Sequence, residues 1–289
     1  MTGLGVSVAL ATPFTEKGAI DRTRLARHAG ALIEGGADGV TLFGTTGEGA
    51  SIGAGERSDG LAALRLANVP PERITVGVCA TSVRDALAQI EQGVAAGVAH
   101  FLVPPPYYFA GVAEDGLFDW FVDLFGRAPA EARAILYHIP QVTGVPLPAA
   151  LARRLADAFP DRVVALKDSS GDWATAEAFL SGAGVPVLIG DERLLHRAVP
   201  LGCTGAITGM GNLAPERIAR ILATGAADPA LSALVDRLSA APVIPGIKVL
   251  LAQATGHAAW ERVRPPLAPL PAAARDALRA AGPLPPLAA

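Results

Sequence analysis

Lys167 closes the apolar run Val163-Val164-Ala165-Leu166 and is followed at once by Asp168, Ser169, Ser170 and Gly171. The run reads as a buried strand, and the small polar residues as a turn into a helix. In α/β barrels the carboxyl ends of the strands carry the chemistry. Burial disfavours an ammonium ion, and a neutral amine is what forms a Schiff base with a carbonyl substrate. Lysine is scarce in this chain: Lys17, Lys167 and Lys248 stand against 21 arginines. A chain that writes most of its surface cations as arginine has kept a lysine at a buried position. Taken alone, a strand-end lysine also reads as a stem that snorkels to solvent. The other polar stretches argue for the first reading.

Tyr137 ends another apolar run, Ala134-Ile-Leu-Tyr137, so it faces the same mouth as Lys167. A phenol there can relay protons to a carbonyl or carbinolamine oxygen; it can also be a core tyrosine bonded to a backbone carbonyl. Gly44-Thr45-Thr46-Gly47-Glu48 follows a third run. Its glycines let backbone N–H groups turn inward and its hydroxyls add donors, a cradle for a carboxylate or phosphate. The plain alternative is a tight turn of small polar residues. Asp191-Glu192 can accept hydrogen bonds from substrate hydroxyls, or can cap a helix and supply its first-turn acid. Tyr107 and Tyr108 follow three prolines in a stiff loop and read as loop packing or an interface. The five histidines show no metal-ligand spacing, so no metal site is expected.

Eight short apolar strands alternate with helical patterns to position these residues. The strands are expected at Gly5–Ala11, Gly39–Phe43, Ile74–Val78, His100–Val103, Ala134–Tyr137, Val163–Lys167, Pro186–Gly190 and Gly205–Thr208. Between and after them, helices are expected from a cap at Asp21, at 54–67, from a cap at Ser82, at 115–126, 148–158, 172–181 and 192–199, and from Pro215. Strands apolar on both faces belong to covered parallel sheets, and eight units point to a (β/α)8 barrel. No G-x-G-x-x-G follows the first strand, which argues against a dinucleotide fold. After residue 224 the alternation stops, and three helical patterns (231–239, 246–254, 272–281) form an appendage punctuated by Pro269, Pro283, Pro285 and Pro286. The expected division is a barrel over 1–224 and a C-terminal helical extension over 225–289.

A hydrophobic content of 51% fills a large core, and a net charge of −3 gives no bias toward nucleic acid or anionic membranes. No apolar run approaches the roughly 20 residues of a membrane span. The N-terminus lacks the basic region of a signal peptide. Cys79 and Cys203 lie in apolar strand-like contexts and read as reduced thiols, which makes a cytoplasmic protein the expectation.

Taken together, GTTGE at 44–48, Tyr137-His-Ile-Pro140 with Thr143-Gly144, and the strand ending in Lys167 resemble the dihydrodipicolinate synthase / N-acetylneuraminate lyase family of class I aldolases. The resemblance runs from Val6 to about residue 260. It implies a (β/α)8 barrel with a C-terminal helical extension, assembled as a homotetramer of tight dimers. It implies that Lys167 forms a Schiff base with pyruvate or another 2-keto acid, and that Tyr137 relays protons at the substrate oxygen. Thr45 would link Tyr137 to Tyr108 of a neighbouring subunit. Thr45 and Thr46, with the backbone amides of their loop through Gly47, would hold the pyruvyl carboxylate, and Ile207 would pack near it. No metal or organic cofactor is implied, since the protonated imine is itself the electron sink.

The resemblance also bears on the second substrate. The synthase branch carries an arginine two residues after the Tyr-x-x-Pro proline, to bind the carboxylate of aspartate semialdehyde. Val142 stands there in this sequence and cannot make a bidentate contact. Asp191, Glu192, Ser169 and Thr208 resemble the polyol-binding positions of the sugar-acid branch, and the turn after Lys167 looks more like 2-keto-3-deoxy sugar acid aldolases. His138 replaces a commoner asparagine. The expected function is therefore cleavage or synthesis of a 2-keto-3-deoxy sugar acid or related 4-hydroxy-2-keto acid. The alternatives are a dihydrodipicolinate synthase with another anchor for the semialdehyde, a hydratase-aldolase whose apolar partner faces Val142, and a keto-acid binding protein without turnover.

Overall fold

In the computed structural model, which describes residues 5–280, eight parallel strands close into a barrel. They are β1 (Gly5–Ala9), β2 (Gly39–Leu42), β3 (Ile74–Gly77), β4 (His100–Val103), β5 (Arg133–His138), β6 (Val163–Asp168), β7 (Val187–Ile189) and β8 (Gly205–Thr208). Each pairs with the next, and β8 returns to β1 with Val6 opposite Ala206 and Val8 opposite Thr208. Closure removes every exposed edge, so strands of three to six residues suffice.

The alternation of side chains sets the two layers. Ala9, Leu102, Ile135, Tyr137, Ala165, Leu188 and Ile207 cluster inside the barrel. Leu136, Leu166, Val187 and Ala206 belong to the outer core, packed under the helices. The helices follow their local signals. Asp21 caps the helix Arg22–Glu34 by accepting from the Arg24 amide, and Ser82 caps Val83–Ala95 by accepting from the Asp85 amide. Pro215 opens Pro215–Thr224, which Gly225 ends in the left-handed conformation.

Two local expectations are corrected. The stretch 192–199 is not one helix: a 3-10 turn, the four-residue helix Leu195–Ala198 and a second 3-10 turn reaching Leu201 share it, with Pro200 in the last. A short helix, Pro140–Thr143, stands between β5 and the helix expected at 148–158, where no element was expected. Pro140 opens it and Gly144 closes it at φ 68°, so four residues leave too short a pattern for periodicity to register.

The C-terminal part forms the helices Pro229–Ser239, Val243–Thr255 and Ala272–Ala280. Leu231, Leu234, Ile247, Trp260 and Leu278 join the same core as the outer face of the barrel. The end of the last expected helix at Ala281, and Pro283, Pro285 and Pro286, lie outside the described residues. Among the described residues no helix is long and apolar enough to cross a membrane.

Candidate active site

Strand register brings the first two site residues together. Tyr137 on β5 is the register partner of Lys167 on β6. A shift between Ala134 and Ile135 sets that pairing, because Ala134 faces Val163 but Ile135 faces Ala165, which leaves Val164 unmatched. Such a bulge re-aims side chains at barrel ends. Lys167 and Tyr137 are only 4% and 5% exposed, and Lys167 Nζ stands 4.2 Å from the centroid of the Tyr137 ring.

Thr45 completes a line with them, its Oγ1 lying 3.2 Å from Tyr137 Oη. The loop that presents Thr45 is tightly turned: Phe43 and Glu48 both sit at positive φ, 59° and 56°, which non-glycine residues rarely adopt. The Glu48 amide donates to the Thr45 carbonyl and the Gly49 amide to that of Gly44. At Gly47 a Cβ would meet Leu10 O at 2.8 Å, so glycine is required there by close packing.

A cavity of about 440 Å³ opens over Lys167 and Tyr137. Thr45, Thr46, Ile207, Ser169, Asp191 and Glu192 line it as well. Three other expected residues do not. Gly47 lies behind the cradle, where its carbonyl accepts from Thr12 Oγ1 at 2.7 Å. Thr208 is buried beneath the floor, accepting from the Gly211 amide at 3.2 Å. Tyr108 projects from the surface, 86% exposed, in edge contact with Phe109 and at φ 89°. It does not line its own chain's cavity; the expected link was from Thr45 to Tyr108 of a neighbouring subunit.

The two carboxylates after β7 are already partnered. Asp191 caps the following turn through the Arg193 amide and is gripped by the Arg193 guanidinium at 2.9 and 2.6 Å. Arg193 also reaches Asp236 at 2.7 Å, and these two partners hold its proton more firmly than usual. Glu192 accepts from the Met210 amide at 2.9 Å and from Thr208, and burial pushes its carboxyl above the usual range. Ser169 differs: its Oγ is buried at the cavity and has no hydrogen-bond partner among the described residues.

Apart from Val142, several lining residues carried no sequence signal. Gln141 and Val142 come from the short helix after β5, and the Gln141 side-chain amide donates to the Ser169 carbonyl at 2.5 Å. The outer wall is Leu238, Val243, Ile244, Ile247 and Leu267, all from the C-terminal part. Val142 is 60% exposed and lines the cavity together with this apolar wall and Tyr137. A second cavity of about 270 Å³ lies behind, sharing Thr45 and Tyr137 and reaching Cys79 and Tyr107. His138 points away from the barrel interior, its Nδ1 accepting from the Leu147 amide at 3.1 Å. Burial pushes its pKa down to about 4, so it is a neutral acceptor that ties the loop after β5 to its strand. Among the described residues no group of three His, Cys, Asp or Glu side chains is placed to hold a metal ion. Cys79 and Cys203 are free thiols.

Comparison with known proteins places this arrangement. The family profile described as the Dihydrodipicolinate synthetase family matches residues 3–281. An uncharacterized DapA-like lyase of Chloroflexus aurantiacus is 34% identical over 286 residues, 96% of this chain and 95% of that one. The crystal structure of a dihydrodipicolinate synthase from Agrobacterium tumefaciens superposes with a TM-score of 0.93 at 41% identity, covering 96% and 98% of the two chains. YagE of E. coli, a prophage protein of the dihydrodipicolinic acid synthase family crystallised with pyruvate, gives 0.84 at 26% identity, covering 96% of each chain.

Proposed function

This chain belongs to the dihydrodipicolinate synthetase family, whose members are carbon–carbon lyases of the class I aldolase type, and on that premise we propose that it is a pyruvate-dependent aldolase acting through an imine on Lys167. Its preferred substrate is a 2-keto-3-deoxy sugar acid or related 4-hydroxy-2-keto acid. The observation that carries the reading is the line Lys167, Tyr137, Thr45 at the floor of a cavity large enough for a keto acid of six or so carbons. The catalytic unit is the barrel, residues 1–224, and the extension, 225–289, supplies a wall.

Lys167 Nζ adds to C2 of the keto acid, and the carbinolamine loses water to give the protonated imine. Tyr137 carries protons to and from the C2 oxygen during these steps, with the Thr45 hydroxyl next in the chain. Thr45 and Thr46 hold the carboxylate, and Ile207 packs against the three-carbon unit. In cleavage the C4 hydroxyl gives its proton to the Tyr137 phenolate left when the carbinolamine lost water, the C3–C4 bond breaks and its electrons pass to the imine; the same proton is then available for C3 of the enamine. The products are an aldehyde and an enamine. Protonation of the enamine at C3 and hydrolysis of the imine release pyruvate and restore the amine.

Ser169 Oγ, with the Gln141 amide nearby, supports recognition of substrate hydroxyls. Asp191 and Glu192 act behind them by fixing Arg193 and the Met210 turn. A synthase acting on aspartate semialdehyde needs a free cation for the second carboxylate. Val142 offers none, and Arg193, which also lines the cavity, is engaged by Asp191 and Asp236. The apolar wall of Val142, Val243 and Ile244 supports a second reading, a hydratase-aldolase whose aldehyde product has an apolar distal half.

The exposed Tyr108 and Phe109, the former at positive φ, support assembly with further copies of this chain, in which the phenol of one subunit reaches Thr45 of the next and a homotetramer is built from such pairs. A cytoplasmic location fits the two free thiols.

Borohydride reduction with pyruvate tests the reading. A stable pyruvyl-derived adduct on Lys167 is expected, and folded protein whose Lys167 stays unmodified overturns it. A panel of 2-keto-3-deoxy sugar acids and of aromatic 4-hydroxy-2-keto acids, scored for pyruvate release, separates the two substrate readings.

A further inference from the structure

Beneath the Thr45–Glu48 turn lies an ion pair that the chemistry does not use. Glu48 and Lys248 are joined across 200 residues of sequence with both side chains 0% exposed. Lys248 Nζ donates to the Glu48 carboxylate and, at 2.6 Å, to the Arg262 carbonyl. The other oxygen of Glu48 accepts from the Arg264 amide at 2.8 Å. Lys248 Nζ also stands 4.4 Å from the centre of the Phe14 ring, and the Arg264 guanidinium covers the same ring at 4.5 Å. Arg264 continues the network to Glu56, at the start of the next barrel helix, and to the Ser51 carbonyl.

Both ends of this pair connect to the cavity. Glu48 ends the turn that presents Thr45 and Thr46, and its left-handed backbone holds that turn closed through the bond from its amide to the Thr45 carbonyl. Lys248 lies on the helix Val243–Thr255, which lends Val243, Ile244 and Ile247 to the cavity wall. Its neighbour Ile247 approaches Gly209 so closely that a Cβ there would meet Ile247 at 2.7 Å and the Thr46 hydroxyl at 3.3 Å. The pair therefore joins the carboxylate cradle to the wall contributed by the C-terminal part.

We infer that Glu48 and Lys248 are positioning residues that set the carboxylate cradle for the keto acid, so that the C-terminal helix is a working part of the active site and not only a cover. The inference rests on the Schiff-base reading above. A non-glycine residue in the left-handed region persists where its surroundings over-determine it. Here the surroundings are the Lys248 ammonium and the Arg264 amide. Without them the turn is free to relax, and the threonine donors spread away from one carboxylate position. Lys167 and Tyr137 sit on other strands and keep their places.

The test is imine trapping with pyruvate and borohydride, read as a function of pyruvate concentration, for the native chain, Glu48→Gln, Lys248→Met and the double variant. A loosened cradle raises the half-saturating pyruvate concentration about tenfold or more while the maximal trapped fraction stays near that of the native chain. A merely structural role lowers the trapped fraction in proportion to unfolded protein and leaves half-saturation where it was, and that outcome overturns the inference. A single variant can fail to fold because it buries one unpaired charge. The double variant leaves none, and it decides the matter on the same readout. Trapping by the native chain with no shift in any folded variant removes the latch alone; no trapping by the native chain removes the Schiff-base reading and the latch with it.

Discussion

Tyr137 is opposite Lys167 because Val164 has no partner. Were β5 and β6 paired without that extra residue, continuing from Ala134 opposite Val163, Tyr137 would face Leu166 and the amine would stand one position further along. The bulge restores the match at the strand ends and puts the nitrogen over the phenol ring at 4.2 Å. Lys167→Ala is accordingly expected to abolish trapping and to lower pyruvate release by at least about a thousandfold, the scale of losing a covalent route. Both are read against circular dichroism of the folded variant.

Thr45→Val keeps the volume and removes the hydroxyl 3.2 Å from Tyr137 Oη. The proton relay is cut while the amine remains. Imine formation should slow and kcat should fall about a hundredfold, within the range of general acid–base contributions. Stopped-flow measurement of imine formation checks it.

Val142→Arg adds a guanidinium at an exposed residue that lines the cavity with Tyr137 and the apolar wall. Aldehydes bearing a carboxylate should gain about tenfold in kcat/KM, as one bidentate contact allows, and aldehydes with an apolar distal half should lose. A coupled assay with aspartate semialdehyde beside an apolar aldehyde measures both directions.

Tyr108→Gly separates local backbone stability from assembly. A side chain at φ 89° is strained by roughly 1 kcal/mol, which glycine relieves. Thermal stability should hold or rise slightly, while turnover drops by about tenfold or more if the phenol serves a neighbouring subunit. Melting temperature, oligomer mass and kcat on one sample give the three readings.

His138 makes stability depend on pH. Its pKa is about 4 in the folded chain, against 6.5 when unperturbed. Below pH 6.5 the unfolded chain binds a proton that the folded chain refuses, so stability is lost as pH falls from 6.5 to 4, by at most about 3 kcal/mol. Burial raises the carboxyls of Asp168 and Glu192, which pushes the other way over the acid range, so the parent curve mixes both. His138→Gln keeps an acceptor for the Leu147 amide without the titration. Its melting temperature should fall less than the parent's between pH 6.5 and 4.

The barrel was legible because each strand is short, apolar on both faces and bounded by turn residues. The placement of Lys167, Tyr137 and Thr45 at one end of the barrel was legible because the first two close such runs and Thr45 follows one after a single glycine. The bulge was not, since Val164 looks like any other residue of an apolar strand. The packing of Gly47 was not legible either: Thr-Thr-Gly reads as a cradle whichever member packs inward, and only the approach of Leu10 O shows why a glycine is needed at that position. The scarcity of lysine was sound evidence for burial, yet it applied to two residues. Lys248 is the more deeply enclosed, and nothing near it in sequence announces Glu48, because the partner lies 200 positions away. The apolar wall escaped for the same reason, as helical periodicity finds a face without saying what it covers.

The cavity's floor and its outer wall come from separate parts of the chain. Lys167, Tyr137, Thr45 and Ile207 stand at strand ends before residue 210, whereas Leu238, Val243, Ile244, Ile247 and Leu267 line the cavity from between 235 and 267. The later stretch thus behaves as an exchangeable cassette, one in which Val243 and Ile244 can be varied to admit new aldehydes while the bond-making residues are left alone. Lys248, four residues further on, is the fixed rivet any such redesign has to keep.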